Sequence, residues 1–259
     1  MIKDYKRPST MSEALKYFGD KTIIPVVLSG GSYQTEFSEG EFTGIDLQDL
    51  EINKIIVGKD KAEIGSMTTL QELADHQGCG SALHDAIILE AGRNVRNSRS
   101  LLSHLLSCNG RSALGTVLLA QDANLIWQPD DQSVSLGDYF ALRNKKEFGY
   151  FFSHLNWSAL INTAFETVGR SPLDQPIVCV ALTKWPSGRI RIALGGFGET
   201  PMMAFDGTDD TGIVSAVKNA FYDAEDEWAS KAYRQEMAEV LAQRCLKKVI
   251  KEGPILGEV

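Results

Sequence analysis

Apolar and polar positions follow helix-like and strand-like spacings along the first two-thirds of this chain, and the texture changes near Leu160. Residues 12–18 (SEALKYF) predict a short helix, with Ser9 or Thr10 as cap and Glu13 in its first turn. The run TIIPVVLSGGSY predicts a strand that ends in Gly30 and Gly31, where positive φ or close approach to a ligand would call for glycine. GIDL at 44–47 predicts a second short buried strand, and 55–57 with 62–65 flank a Gly-Lys-Asp-Lys turn as a hairpin. In TTLQELADH, Thr68 is the expected N-cap, with Leu70, Leu73 and Ala74 on one helix face. Helical spacing continues over 82–92 through Leu83, Ile87 and Leu89, and again over 113–120. Residues 93–106 read as irregular and polar before an apolar stretch, 124–127 as a strand, and 138–141 as one helical turn.

Beyond Leu160 the segment INTAFETV alternates, and IVCVALTKWPSGRIRIAL predicts two strands around a Trp-Pro-Ser-Gly turn. Two helices are expected to close the chain, at 213–222 and 229–250. The longer one spaces Tyr233, Met237, Val240, Leu241 and Cys245 by three and four residues. Pro172 and Pro176 punctuate a boundary near 170–175. The expected class is therefore mixed α/β and α+β, with an N-terminal part over 1–170 and a small C-terminal α+β domain over 174–259, built on an antiparallel sheet and two helices.

With 259 residues, 43% of them hydrophobic and 23% charged, the chain can bury a sizeable core. Its net charge of −8, without a basic stripe, makes nucleic acid and anionic membrane surfaces poor partners. No apolar run approaches the roughly 18 residues of a membrane helix, and MIKDYKRPST carries no apolar signal region. Cys79, Cys108, Cys179 and Cys245 lack paired spacing, which fits reduced thiols in the cytoplasm and excludes an iron–sulfur cluster supplied by this chain alone. His76, Cys79 and His84 resemble metal ligands but have no fourth ligand nearby, so a structural role and no metal are expected. Gly195-Gly196-Phe197-Gly198 follows a strand with no helix directly after it, as a strand-end turn would, and DAEDEW at 223–228 reads as a solvated loop before the last helix. There is no Ser/His/Asp set, paired-carboxylate site or Walker-type loop, so no catalytic residue is assigned and any chemistry would be a cofactor's.

The ordered segments YKRPSTMSEAL, LSGGSY, GIDL, IGSMTTLQEL, RNVRN, TVLLAQDANLIW, IRIALGGFGETP and WASKAYRQEMAEVLAQRCL carry a resemblance over almost the whole chain. Their order is similar to that in the FAD-binding medium subunit of molybdenum hydroxylases, the family of the carbon monoxide dehydrogenase medium subunit and the xanthine dehydrogenase FAD domain. That resemblance implies a two-lobed FAD-binding domain, with lobes of about 1–57 and 58–170, followed by the family's C-terminal domain. It implies FAD as cofactor, its pyrophosphate held between two glycine-containing loops. The first loop would be Gly30, Gly31, Ser32 and Tyr33, and Thr68, Asn97, Ser100 and Ser103 are further candidates.

The second family loop, Thr-Ile-Gly-Gly-Asn, is replaced here by Ser100-Leu101-Leu102-Ser103-His104, and a family aspartate a little further on by Ala113. Leucine at a glycine position excludes most positive-φ geometry, so Leu102 is expected to obstruct the phosphate path. His104 is a candidate substitute donor, although a histidine in an apolar stretch more often belongs to the core. The function implied is an electron-transferring flavoprotein subunit beside a molybdopterin-binding subunit and a 2Fe–2S subunit, with homo-oligomerisation possible in isolation. The alternative is a non-enzymatic member that has lost FAD and serves as a scaffold or assembly partner.

Overall fold

The computed structural model describes residues 1–30, 40–171 and 174–251. The chain begins with β1 (Ile2–Lys6), α1 (Met11–Phe18), β2 (Pro25–Leu28) and β3 (Phe42–Asp46), the strands forming a parallel sheet in the order β1-β3-β2. Helix α1 starts at Thr10, whose side chain accepts the Glu13 N–H, and it buries Ala14 and Phe18.

A second unit runs through β4 (Ile55–Val57), β5 (Lys61–Gly65), α2 (Leu70–Asp75), α3 (Gly80–Glu90), α4 (Arg93–Ser98), α5 (Leu101–Ser107) and α6 (Ala113–Ala120). It continues with β6 (Asn124–Gln128), β7 (Gln132–Ser135), α7 (Leu136–Leu142) and β8 (Phe151–Ser158). Its strands make an antiparallel sheet in the order β4-β5-β8-β6-β7. The last unit contains β9 (Asn162–Val168), β10 (Val178–Lys184), β11 (Ile190–Gly195), β12 (Met202–Gly207), α8 (Ile213–Ala220) and α9 (Lys231–Lys251). Here the antiparallel order is β12-β11-β10-β9. The α/β and α+β class expected from sequence is the class observed.

Local expectations needed correction where side-chain capping or pairing partners distant in sequence decide the outcome. The cap of α2 is Thr69 rather than Thr68: Thr69 accepts the Glu72 N–H while the Glu72 carboxylate accepts the Thr69 N–H, a capping box. Residues 93–106 are largely helical, because Ser100 caps α5 and Leu101, Leu102 and Leu105 are driven into the core. Strand β4 pairs with β5 and so belongs to the second sheet, although the first lobe was expected to reach about residue 57. Likewise β9 pairs along its length with β10, which starts the last sheet at Asn162, before the 170–175 stretch.

Among the contacts that fasten the second unit to the last, two stand out. Arg189 and Arg191, on the last hairpin, both bond Asp206 and both reach across to Asp122 in the turn between α6 and β6. The Gly195–Gly198 turn closes on Gly110: Gly196 N–H donates to Gly110 O at 2.7 Å and Gly110 N–H to Gly198 O at 3.0 Å. A Cβ on Gly110 would lie 2.0 Å from Phe197 O, so only glycine permits this approach. Helix α6 is buried along its whole length between α3 and the last sheet. The preceding loop, residues 108–112, is held between this helix and the Gly195–Gly198 turn.

Candidate functional site

Three segments meet at the end of the parallel sheet. Gly30 follows β2 with φ +81°, and a Cβ there would stand 2.7 Å from Ser98 O and 3.9 Å from Ser100 N. From the other side, Leu70 N–H donates to Arg99 O (2.9 Å), Leu101 N–H to Thr68 O (2.9 Å) and Leu102 N–H to Ser66 O (2.8 Å). Residues 98–102 are thus stitched to 66–70 with Gly30 laid against them, at the carboxyl ends of strands where open sheets commonly receive ligands. Gly31, Ser32 and Tyr33 lie outside the described residues.

Of the other residues singled out in the sequence, the junction gathers Thr68, Ser100 and Ser103. Thr68 is fully buried and its hydroxyl lacks a hydrogen-bond partner among the described residues, as does that of the equally buried Ser66. Ser100 Oγ accepts the Ser103 N–H at 3.1 Å, and Ser100 O accepts the His104 N–H at 3.0 Å. The backbone donors of 101–104 are consequently all engaged within the protein. Asn97 is exposed on α4, and Ala113 is the buried first residue of α6.

The expected obstruction by Leu102 takes a different form from the one read in the sequence. Leu102 is helical, its N–H is bonded, and its side chain is wholly buried in the main core. Residues 101–104 form the first turn of a helix capped by Ser100, so no left-handed backbone is being blocked there.

Behind α5 sits a buried polar cluster that the sequence reading missed in part. Ser112 Oγ donates to Glu90 Oε1 (2.7 Å), Leu114 N–H donates to the same oxygen (2.6 Å), and Ser112 Oγ accepts the Gly115 N–H as the cap of α6. With that hydroxyl's proton directed at Glu90, His104 Nε2, 3.1 Å away, carries its own proton towards Ser112 Oγ. His104 Nδ1 is left as an acceptor without a hydrogen-bond partner among the described residues, which removes His104 as a substitute phosphate donor in this state. Ser112 was legible as a residue preceding an apolar helix; Glu90 had no local signal, because its partners lie 22 and 24 residues away.

Burial pushes the His104 pKa below its usual 6.5; the Glu90 charge opposes that shift and the Arg99 charge adds to it. A histidine with a depressed folded-state pKa contributes stability that is fully present above the unfolded value and lost as pH falls through the folded one. We therefore predict that the wild type loses urea resistance below about pH 6.5 more steeply than His104→Asn does. The check is the difference in urea midpoint between the two proteins at pH 7.5 and pH 5; parallel curves would refute it.

The remaining sequence candidates have structural roles. His76 Nδ1 accepts the Gly78 N–H and lies 3.8 Å from Cys79 Sγ, while His84 pairs with Asp85. Among the described residues no group of His, Cys, Asp or Glu side chains could hold a metal ion. The Gly195–Gly198 turn is occupied by Gly110, as described above.

A dinucleotide's diphosphate asks for donors and positive charge. The junction supplies the Ser66 and Thr68 hydroxyls and the Nε–H of Arg99, three buried donors that lack a hydrogen-bond partner among the described residues, together with the positive-φ Gly30. On the side-chain face the residues fit such a group, whereas the backbone of 101–104 offers it no donor.

Residues 1–152 match the family model described as the FAD binding domain in molybdopterin dehydrogenase. The curated "Uncharacterized protein YgfM" of Escherichia coli strain K12 is 27% identical over 252 residues, spanning 93% of this chain and 94% of its own length. Quinoline 2-oxidoreductase from Pseudomonas putida 86 superposes with a TM-score of 0.76 at 19% identity, covering 96% of this chain and 97% of the other. Carbon monoxide dehydrogenase from Oligotropha carboxidovorans gives 0.74 at 20% identity, covering 95% and 96%. At these identities the structural likeness is one of fold. Among the described residues no helix is long and apolar enough to cross a membrane.

Proposed function

The chain belongs to the family of FAD-binding domains of molybdopterin dehydrogenases, and from that premise we propose that it binds FAD as the electron-transferring subunit of a molybdenum hydroxylase-type dehydrogenase. The observation that carries this reading is the junction itself: a positive-φ Gly30 set against Ser98–Ser100, beside buried hydroxyls of Ser66 and Thr68 that await acceptors. Gly30 and Thr68 would approach the diphosphate, and Gly31, Ser32 and Tyr33 would continue the first loop. Ser100 and Ser103 would shape the opposite wall, and Asn97 would stand at its rim. Bound flavin would supply one- and two-electron transfer, and these residues would position it.

By family, the partners would be a molybdopterin-binding subunit and a 2Fe–2S subunit, in the cytoplasm, with self-association in isolation. One observation favours the second reading, a scaffold or assembly partner without FAD: the engaged N–H groups of 101–104 leave the second loop nothing to donate through its backbone.

Titration of the purified protein with FAD, followed by quenching of flavin fluorescence, separates the two. Saturable binding of one flavin per chain is expected. Absence of binding, with the protein shown to be folded, would overturn the flavin reading and leave the scaffold.

A further inference from the structure

We propose that Arg99 is the anchoring cation for the diphosphate of a dinucleotide at this junction, a side-chain contact in place of the backbone donors that α5 has withdrawn. The proposal deepens the flavin reading above and rests on it for the identity of the nucleotide, though not for the diphosphate chemistry.

Position is the first argument. Arg99 lies between Ser98 and Ser100, the two residues on which Gly30 packs, and its own carbonyl accepts the Leu70 N–H. It therefore sits where the Gly30 and 66–70 segments both meet its own. Loose ends are the second argument. Six buried side-chain polar atoms among the described residues lack a hydrogen-bond partner: Ser66 Oγ, Thr68 Oγ1, Arg99 Nε, His104 Nδ1, Gln121 Oε1 and Trp127 Nε1. The first three belong to residues of this junction. Buried groups of this kind are rare, and all three can donate, so they suit an anion.

Charge is the third argument. Arg96, three residues earlier, is spent on structure, bonding Gln71 and the carbonyls of Ile88 and Ala91. Arg99 has no such employment among the described residues: no carboxylate pairs with it, and it is half-buried rather than extended into solvent. On a chain of net charge −8, a guanidinium without a carboxylate partner among the described residues, carried by a segment that both Gly30 and residues 66–70 touch, marks the place where an anion is welcome. Planar guanidinium geometry matches phosphate oxygens in a way that a lysine ammonium does not.

The test compares wild type, Arg99→Gln and Arg99→Lys, each checked for native circular dichroism, against FAD, ADP and riboflavin. FAD and ADP share the diphosphate; riboflavin has the ring system without it. Fluorescence serves for the flavins and calorimetry for ADP, at low and high salt. We expect Arg99→Gln to weaken FAD and ADP about ten- to a hundredfold, to leave riboflavin unchanged and to flatten the salt dependence, with Arg99→Lys intermediate.

Wild-type FAD binding that is indifferent to Arg99 would overturn this inference while the flavin function stands. Equal losses for riboflavin and FAD would overturn it too, since the effect would then be structural. Binding of ADP through Arg99 without binding of FAD would uphold the diphosphate site and remove the flavin function. No binding of any of the three by folded wild type would remove both.

Discussion

Arg234→Ala is expected to cost about 3–5 kcal/mol of unfolding free energy, the largest effect we foresee for one substitution. Arg234 is on α9 with no solvent exposure, yet it carries a full charge into the last core. Its guanidinium clasps Asp226 through two bonds of 2.8 and 2.9 Å. It also donates to the carbonyls of Ala224, Ala229, Ile177 and Gly196. Those carbonyls belong to the loop before α9, to the entry of β10 and to the glycine turn that meets Gly110. One side chain therefore ties the helix, the sheet and the contact with the neighbouring unit.

Truncation leaves buried acceptors unpaired and a cavity behind, both of which are destabilising. For a chain of this size the loss corresponds to a fall in Tm of roughly 10 °C. Arg234→Met, which keeps bulk but no donor, is expected to recover little of it. Thermal denaturation of both variants provides the check; a shift in Tm below about 2 °C for Arg234→Ala would show that the clasp contributes little.

The second large effect reverses what the sequence suggested. Read as a loop, 100–104 invites Leu102→Gly with Ser103→Gly as a repair that returns glycines and recovers phosphate donors. In the structure Leu102 fills the main core from within α5, and its N–H already serves Ser66 O. The double variant is therefore expected to lose about 2–5 kcal/mol from the vacated core volume, and about another 1–2 kcal/mol from two glycines in a helix. It should gain no FAD affinity. Urea denaturation and flavin titration on the same preparations read the two quantities. A variant as stable as wild type that binds FAD more tightly would show that the capped turn opens at little cost and that the loop reading was right.

The sequence by itself settled a good part of this protein. Hairpin signals at 55–65 and 177–194, the spacing of Leu70, Leu73 and Ala74, and the apolar 113–120 run gave elements the structure contains, because each is dictated by neighbours within one or two turns of chain. The order of the short motifs likewise gave the family, which the match over residues 1–152 bears out.

What the sequence left open depends on partners far away in the chain. Strand β8 was invisible until β5 and β6 were placed on either side of it, and β9 joined the last sheet only through its pairing with β10. The character of the second loop was decided by Ser66 and Thr68 accepting its N–H groups from more than thirty residues upstream. The same holds for Glu90, whose carboxylate meets Ser112 and Leu114 only when α3 and α6 pack together, and for Arg99, unremarkable in a polar stretch until Gly30 and the 66–70 segment close around it. Local spacing fixes the elements; which donors remain free for a ligand is settled only once tertiary packing has used the others.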